Sequence, residues 1–439
     1  MTFPIRASNA ASPAPTDPTP TEPTPTEPTP TDPVLVDRAR AAALDAADPL
    51  ATFRDRFVVG DPDLVYLDGN SLGRLSLAAA DRIERVVRDE WGGELTRGWD
   101  HWIDLPLRIG DRIGEGLLGA RPGEVVVSDS TTVNLYKLAA AALDARPARR
   151  TIVAARDDFP TDRYVLEGLA RARDLTIRWL EPDPIDGPTA ADVEAAVDDD
   201  VALVVLSHVH YRSAAIADMP AITALAHRSG ALMLWDLSHT AGSVVVDLES
   251  SGVDLAVGCS YKHIPGGPGA PAWLYVRKEH QAVLHNPIQG WFGQRDRFAM
   301  GPAYDPLSDI RAFLTGTPGV VALAAVEAGV ELVAEARVER IRAKGVALTE
   351  YAIALHDAWL APLGCTLGSP RDAARRGAHI AVRHPDGERL TAALIAGGVI
   401  PDFRWPDSIR FGVSPLATSF GDVHTGIDRL RAILGAEAR

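Results

Sequence analysis

An aspartate and a lysine at the ends of two neighbouring predicted strands are the residues of this sequence best suited to chemistry. Residues 231–269 contain two short apolar runs, ALMLW and VDLAVG, each typical of a buried strand. Asp236 follows the first run, and Lys262 lies just beyond the second. In an open parallel sheet, ligands bind outside the carboxyl ends of the strands. We therefore expect both side chains to project into one crevice.

An acid and an amine in one crevice fit the chemistry of pyridoxal 5'-phosphate (PLP). A lysine amine forms a Schiff base with the aldehyde, and a carboxylate keeps the pyridine nitrogen protonated so that the ring accepts electrons from a carbanion. Lysine suits this task because its amine loses its proton readily when it is desolvated or near another cation. The glycines of GGPG (266–269) let the backbone turn closely after it. The same pair also fits an ordinary strand-end aspartate and a surface lysine, so both interpretations stay open at this point.

The composition indicates a globular protein and disfavours several classes of partner. The 439 residues, 46% of them hydrophobic, suffice for two or three domains with full cores. With 59 acidic and 44 basic residues the net charge is −15, which disfavours nucleic acid and anionic membranes as partners. Cys259 and Cys365 give neither a metal-binding spacing nor a disulfide framework. With no membrane-length apolar run and no signal-peptide core, we expect a cytoplasmic protein.

The pattern along the chain predicts a tail, an N-terminal segment and two α/β domains. Residues 1–33 repeat TDPTP-like units, and we expect a disordered, extended tail because proline is excluded from helix and sheet interiors. Residues 34–100 form the N-terminal segment, which starts with a predicted helix at 34–57. In residues 101–318 strands alternate with helices and are continuously apolar, which is typical of a parallel, doubly wound sheet. Long helical patterns then link this large domain to a smaller α/β domain within 319–439.

Further strand ends carry groups that suit a phosphorylated ligand. Thr131 and Thr132 begin a predicted helix, whose free N–H groups and positive dipole end form an anion site. The segment FPTD (159–162) offers a ring for stacking and a carboxylate for a hydrogen bond. Ser207 and His210 follow the strand VALVVL. Each group has an ordinary explanation as well, such as a helix N-cap, but one site explains these strand ends together better than separate coincidences do.

An aromatic cluster, RGWDHWIDLP, precedes the large domain. Trp99, His101 and Trp102 could form part of a pocket for an aryl group. Such clusters arise equally from simple core packing, in which case only His101 would touch a substrate. The sequence leaves both interpretations open.

Seven motifs, in this order along the chain, resemble those of the kynureninase family: YLDGNSLG, FPTD, SHVHYRS, DLSHTAG, CSYKH, GWFG and RFGVSP. These are PLP enzymes of fold type I, related to the class V aminotransferases and cysteine desulfurases. The resemblance runs from about residue 50 to the C-terminus and leaves out the proline-rich tail. It implies an α/β protein of PLP fold type I, with a large domain built on a mainly parallel doubly wound sheet and a smaller C-terminal α/β domain.

The resemblance assigns roles to matching residues of this sequence. It implies that Lys262 carries the Schiff base, that Asp236 pairs with the pyridine nitrogen, and that Tyr261 binds phosphate and relays a proton. It implies further cofactor contacts at Thr131, Thr132, Phe159, Pro160, Thr161, Asp162, Ser207, His239, Trp291 and Thr317. It implies substrate contacts at Asn70, Ser71, His101 and Arg410. The Arg410 guanidinium suits the substrate α-carboxylate, and Thr317 departs from the family, which often has asparagine there.

The resemblance implies hydrolysis of the Cβ–Cγ bond of L-kynurenine to anthranilate and L-alanine in tryptophan catabolism, with 3-hydroxykynurenine as a second substrate. It also implies a homodimer, in which Trp291 and Thr317 complete the site of a neighbouring copy, and no metal is expected. Two other activities on this fold stay open, a class V aminotransferase and a cysteine desulfurase or related lyase. The desulfurase needs a cysteine on a mobile loop, and neither Cys259 nor Cys365 suits that position.

Overall fold

The computed structural model of the chain describes residues 37–437. The expected proline-rich tail, residues 1–33, lies outside the described residues. The helix expected at 34–57 is shorter than predicted: it spans Arg38–Ala46, and a 3₁₀ turn follows at Ala51–Arg56. The physical reason is Pro49, because a proline disfavours helical backbone at the residue before it.

Helices and short strands alternate between residues 125 and 236, and elsewhere in the described chain several helices or several strands follow one another. The helices are α1 (Arg38–Ala46), α2 (Leu77–Arg85), α3 (Trp99–Trp102), α4 (Leu105–Ile113), α5 (Thr131–Asp144), α6 (Pro160–Arg173), α7 (Ala190–Ala196), α8 (Met219–Ser229), α9 (Val320–Ala336), α10 (Val338–Leu355), α11 (Gly387–Ala396) and α12 (Phe420–Glu437). The strands are β1 (Val65–Tyr66), β2 (Val125–Val127), β3 (Thr151–Ala155), β4 (Thr176–Leu180), β5 (Val201–Ser207), β6 (Leu232–Asp236), β7 (Leu255–Gly258), β8 (Trp273–Val276), β9 (Thr366–Leu367), β10 (His379–Arg383), β11 (Val399–Ile400), β12 (Asp402–Arg404) and β13 (Ser408–Gly412).

A seven-stranded sheet, in the order β2-β8-β7-β6-β5-β3-β4, forms the larger layer. Strand β8 is antiparallel to both of its neighbours, and the other pairs are parallel. Alternate residues of each strand face opposite sides, so Val204 of β5 packs in the core that contains Ile222 of α8, and Leu203 packs in the core that contains Leu138 of α5. Helices therefore cover both faces, which confirms the expected fold class.

A four-stranded antiparallel sheet, in the order β12-β13-β10-β9, forms the smaller layer near the C-terminus. Its apolar side chains share a core with α10, α11 and α12. The N-terminal segment joins this layer, because β1 pairs in parallel with β11 and Gly412 N–H donates to the Leu67 carbonyl at 2.7 Å. The division of residues 34–439 at 100 and 318 stays a prediction.

None of the helices between residues 37 and 437 combines the length and the apolar character needed to cross a membrane.

Candidate active site

A cavity of about 460 Å³ lies at the carboxyl ends of the parallel strands. Its wall includes side chains that follow β2, β3, β5, β6 and β7. The predicted site residues in that wall are Thr131, Thr132, Phe159, Thr161, Asp162, Ser207, Asp236, His239, Tyr261 and Lys262. The structure thus brings together groups that lie far apart in sequence.

Lys262 lies in the loop after β7, and its amine faces a histidine. Lys262 Nζ is 3.0 Å from His239 Nε2, and it lies 5.9 Å from the centre of the Phe159 ring. Burial and the nearby Lys262 cation hold the pKa of His239 well below its usual range. A neutral His239 accepts a hydrogen bond from the lysine amine at Nε2 only when its own ring proton is on Nδ1.

Three carboxylates are buried near the ends of β3 and β6. Asp236, the last residue of β6, accepts a hydrogen bond from Ser238 N–H at 2.8 Å. Burial, together with the charges of Asp236 and Asp158, raises the pKa of Asp162 well above its usual range. Burial also raises the pKa of Asp158 to about 7. At neutral pH, therefore, not all carboxyls of this cluster are ionised. A cationic ring nitrogen next to them would stabilise the ionised form.

The first turn of α5 forms another side of the cavity. Ser130 caps this helix by accepting a hydrogen bond from Val133 N–H, while the N–H groups of Thr131 and Thr132 have no partners within the helix. Burial alone would raise the pKa of Asp129, but the ammonium of Lys137, 2.8 Å away, holds it below the usual range. The Asp129 charge is thus paired within the protein, and the helix end can accept an anion.

The loop that carries Lys262 is held from outside by the N-terminal segment. Gly73 N–H donates to the Tyr261 carbonyl at 2.8 Å. A β-carbon at Gly73 would lie 2.5 Å from the Lys262 carbonyl oxygen and 2.9 Å from Pro265. Only glycine permits so close an approach, so the N-terminal segment packs directly against the lysine loop at Gly73.

Arg410 lies outside the cavity wall, and its two terminal nitrogens have polar partners. Its side chain donates to the Tyr211 carbonyl, to Ser71 Oγ and to Asp402 Oδ2, each at 2.6 Å. Asp68 lies 3.8 Å from the same guanidinium, and burial raises the pKa of Asp68 to about 6. Only 1% of Arg410 is exposed. The predicted carboxylate-binding arginine is therefore paired with an internal carboxylate in this structure.

The other predicted residues lie away from the cavity wall. Pro160 begins α6 next to Phe159, and Trp291 is an exposed ring in a 3₁₀ turn. Thr317 lines a neighbouring cavity of about 270 Å³ that shares Asp129 and Gly269 with the first.

The aromatic cluster before the large domain packs on itself. Trp102 Nε1 donates to Glu90 at 2.7 Å, and His101 Nε2 lies 3.3 Å from the same carboxylate. Trp99 meets Trp102 edge to face, with ring centres 5.6 Å apart. The structure does not bring His101 to the cavity, so the aryl-pocket role of these residues stays a hypothesis.

Sequence reasoning missed several groups of the site. Tyr211, whose ring meets Phe159 edge to face at 5.4 Å, lines the cavity. It lies in the motif SHVHYRS but had not been singled out. Asp158 is adjacent to the FPTD segment. Asp402 carried no signal, because its pairing with Arg410 depends on the register of β12 against β13.

The described residues fit PLP. The helix end at Thr131 and Thr132 suits a phosphate, and Phe159 offers a ring for stacking. Lys262 supplies an amine. Asp162 Oδ2 is buried without a hydrogen-bond partner among the described residues, next to Asp236, so the two carboxylates can hold a pyridine N–H. Within residues 37–437 no group of three or more His, Cys, Asp or Glu side chains is arranged to hold a metal ion.

Solved structures of other proteins share the fold of this chain. A cysteine desulfurase of Thermococcus onnurineus is similar over 85% of this chain and 95% of its own, with a TM-score of 0.75 and 17% identity. A cysteine desulfurase of Escherichia coli is similar over 88% of this chain and 98% of its own, with a TM-score of 0.74 and 15% identity. A mutant of C-DES with glycine covalently linked to its PLP cofactor is similar over 85% of this chain and 96% of its own, with a TM-score of 0.73 and 16% identity. At these identities the likeness shows the fold, PLP fold type I.

Comparison of the sequence is more specific. Residues 341–430 match the family model of the kynureninase C-terminal domain. The chain is 44% identical to a kynureninase of Burkholderia pseudomallei over 407 residues, which is 91% of this chain and 96% of that protein. It is 42% identical over 406 residues to a kynureninase of Pseudomonas fluorescens, with the same shares. Since this similarity spans nearly the whole of both proteins, the chain belongs to the kynureninase family of PLP-dependent enzymes.

Proposed function

We propose that this chain hydrolyses L-kynurenine to anthranilate and L-alanine, using PLP held covalently by Lys262. The observation that carries the proposal is the convergence on one cavity of the Lys262 amine, the Asp236 and Asp162 carboxylates and the open end of α5. The two relatives that are 42–44% identical in sequence are both kynureninases, and their names support the substrate.

Each end of the cavity has a separate task in binding the cofactor. When bound, PLP supplies an acceptor for the electrons released from the bonds at the substrate Cα. Thr131 and Thr132 bind the phosphate through the helix end, and Phe159 lies against the ring. Asp236 and Asp162 hold the proton on the pyridine nitrogen. Because the two carboxyls are buried next to each other, a positive charge on that nitrogen is stabilised.

The proton transfers fall to Lys262 and Tyr261. The free amine of Lys262 removes the proton from the substrate Cα, and His239 Nε2, 3.0 Å away, accepts a hydrogen bond from that amine. Burial raises the pKa of Tyr261, so its hydroxyl stays protonated at neutral pH and can donate a proton to Cβ. The water consumed in the reaction leaves its oxygen on the carbonyl carbon, which becomes the carboxylate of anthranilate.

The α-carboxylate of the substrate binds to Arg410. The guanidinium already has Asp402 as a carboxylate partner at 2.6 Å, so the substrate carboxylate shares or replaces that contact. Ser71 donates to Asp402 at 3.0 Å and accepts from Arg410. The pairing therefore keeps Arg410 oriented until the substrate arrives.

The direct test is an assay of the purified protein with kynurenine and PLP but no keto acid. We expect anthranilate fluorescence and an equal amount of alanine. Lys262→Ala should abolish both, while Lys278→Ala, a control on the turn after β8, should retain them. After borohydride treatment, mass spectrometry should find the reduced cofactor on Lys262. Product from the Lys262→Ala protein, or a cofactor attached elsewhere, would contradict the proposal.

The same assay separates the rival activities. An aminotransferase would need a keto acid and would not release anthranilate. A desulfurase would release sulfur from cysteine, but burial raises the pKa of Cys259 above its usual range, and Cys365 is buried as well. Neither thiol has the thiolate character that a nucleophile needs. Comparison of kcat/KM for kynurenine and 3-hydroxykynurenine tests the second substrate.

We also propose a homodimer in the cytoplasm. The exposed side chains of Trp291, Phe298 and Met300, at 41%, 70% and 74%, support an apolar surface for a second copy, and the unpaired Cys259 and Cys365 are compatible with a reducing compartment. In the dimer Trp291 and Thr317 would reach the phosphate region of the partner's cavity. Sedimentation of the holoprotein measures its mass directly, and a monomer that turns over kynurenine would contradict the dimer.

A further inference from the structure

A layer of buried polar atoms lies between the cavity and the small sheet. Within residues 37–437 no hydrogen bond of normal geometry reaches His239 Nδ1, either ring nitrogen of His263 or of His379, or the side-chain amide of Asn70. None of the four residues is more than 7% exposed. A buried polar atom without a partner costs free energy. The presence of several such atoms in one layer therefore needs an explanation.

The small sheet brings the outer part of this layer together. His379 of β10 lies directly opposite Gly412 of β13, and opposite residues of an antiparallel pair project from the same face. A β-carbon at Gly412 would lie 1.6 Å from Asn70 Oδ1, so the Asn70 amide fills the space beside His379. The His379 ring centre is 5.6 Å from that of His239.

The layer is connected to the reactive lysine through one atom pair. Lys262 Nζ lies 3.0 Å from His239 Nε2. For the amine to donate this hydrogen bond, the proton of the neutral imidazole must be on Nδ1. That N–H points into the buried layer, where it needs an acceptor.

The charges around these groups keep the histidines neutral. Burial, followed by the charges of Lys262 and Arg410, lowers the pKa of His263 to about 3. Burial, followed by Arg410 and His263, holds the pKa of His379 well below its usual range, and a weak contact with the Arg212 backbone only partly opposes this. His379 also faces His210.

Other titratable groups face Lys262 from the large sheet. Asp162 and Asp236 interact electrostatically with each other and Asp162 with Lys262, and Asp158 adds a third carboxyl. Cys259 and Tyr261, on the loop that carries Lys262, stay protonated because burial raises the pKa of each. Neither of these two groups therefore adds a negative charge beside Lys262.

We propose that His379, with His263 and Asn70, holds an ordered water that accepts the Nδ1 hydrogen bond of His239 and so fixes the ring tautomer that His239 presents to Lys262. A water with two to four polar partners is stable in a buried polar layer of this kind. His379 is a positioning residue, because it acts on Lys262 through His239 and does not touch the substrate. The inference rests on the proposed role of Lys262 as the residue that binds the cofactor.

The tautomer decides how readily Lys262 carries a proton. With Nε2 as acceptor, His239 stabilises the protonated nitrogen of Lys262. Without an acceptor at Nδ1, the ring proton moves to Nε2 and faces Lys262, which disfavours the protonated form. Loss of His379 should therefore lower the pH at which the lysine-bound cofactor loses its proton.

The test is a pH titration of the visible absorption band of the holoprotein. We expect His379→Phe to lower the midpoint by about one pH unit, since one buried hydrogen bond is lost. His379→Gln keeps a donor and an acceptor and should restore the midpoint. His356→Gln is a control: His356 is equally buried but bonds to Asp357.

Nitrogen shifts of ¹⁵N-histidine report the tautomer directly and require no turnover. They should show the His239 proton on Nδ1 in the natural protein and on Nε2 in the His379→Phe protein. If that variant does not fold, His263→Leu removes other partners of the same water and should shift the midpoint in the same direction.

Two results would overturn the inference: a folded, PLP-loaded His379→Phe protein with an unchanged midpoint, or a His379→Gln protein shifted as far as the Phe variant. If the natural protein fails to bind PLP at Lys262, it is the proposed function that fails.

Discussion

The carboxylate of Asp254 joins three parts of the chain at the end of the large sheet that lies away from the cavity. Asp254 immediately precedes β7. Its Oδ2 accepts hydrogen bonds from Met233 N–H in β6 and from His227 Nε2 in α8, and its Oδ1 accepts one from His280 Nε2, each at 2.8 Å. Its side chain is 5% exposed. We predict that Asp254→Asn weakens the fold without changing the chemistry of the cavity.

The magnitude follows from the pKa of this carboxyl. Burial alone would raise the pKa of Asp254, but the hydrogen bonds from His227, His280 and Met233 lower it from 3.8 to about 2. One pKa unit corresponds to about 1.4 kcal/mol, so the ionised carboxylate contributes about 2.5 kcal/mol to the free energy of unfolding. For a chain of 439 residues, with an unfolding entropy of about 2 cal/mol/K per residue, this corresponds to a loss of roughly 3 °C in melting temperature.

The pH dependence has two limbs. The pKa of Asp254 is lowered on folding, so its contribution is present above 3.8 and is lost as the pH falls through about 2. The hydrogen bond to Asp254 raises the pKa of His227 on folding. The stabilisation that requires a charged His227 is therefore fully present below the pKa of His227 in the unfolded chain, and it is lost as the pH rises through the pKa of His227 in the folded protein. The penalty of Asp254→Asn should therefore be larger near pH 5.5 than near pH 8.5.

Melting of the holoprotein, followed by circular dichroism at both pH values, measures this penalty. Asp199→Asn, on the exposed turn before β5, is the matched control and should melt like the natural protein. The visible absorption of the bound cofactor and kcat should be the same in all three proteins. Equal melting temperatures for the two variants, or a larger penalty at the alkaline pH, would refute the reasoning.

Three further changes test the site itself. Asp236→Asn removes a charge from the carboxyl cluster, and we expect the dissociation constant of PLP, measured by equilibrium dialysis, to rise about tenfold or more, corresponding to at least about 1.4 kcal/mol; an unchanged constant would exclude its pairing with the ring nitrogen. Arg410→Lys loses the planar fork, so KM for kynurenine in steady-state assays should rise by about tenfold to a hundredfold with PLP still bound; an unchanged KM would place the α-carboxylate elsewhere. Gly412→Ala puts a methyl group on the Asn70 amide, 1.6 Å from Oδ1, and should destabilise the holoprotein by about 1–3 kcal/mol in urea unfolding, whereas an unchanged midpoint would mean that Asn70 moves freely.

The large-sheet side of the site was accessible from sequence because parallel strands impose a simple rule. Strands β5, β6 and β7 are almost continuous apolar runs, and the residues that follow their last apolar positions lie at the carboxyl edge of the sheet. Ser207, Asp236 and Lys262 could therefore be located relative to one another without knowledge of the strand order. The order β7-β6-β5 then places these strand ends next to each other.

The part of the site that the small sheet contributes could not be predicted from the sequence, because the strands of this sheet are short and antiparallel. A shift of one residue in the pairing of β10 with β13 would place His379 and Arg410 on opposite faces of the sheet. The apolar pattern of β13, in which all residues are buried, does not distinguish its two faces. The pairing of Arg410 with Asp402 and the approach of His379 to His239 depend on that register, and the sequence contains no signal for it.

The two sides of the site differ in what holds their charged groups in place. On the large sheet the carboxyls are buried next to each other; burial, followed by repulsion from Asp236 and Asp158, raises the pKa of Asp162, and a bound cation would relieve that repulsion. On the small sheet the cation Arg410 already has the anion Asp402 as a partner, so a substrate carboxylate gains only the difference between two similar contacts. Binding of the cofactor should therefore be the stronger of the two electrostatic interactions, and the substrate must derive much of its affinity from its aromatic ring and its bond to the cofactor. This is the arrangement expected of an enzyme that retains its cofactor through many turnovers and releases its products after each one.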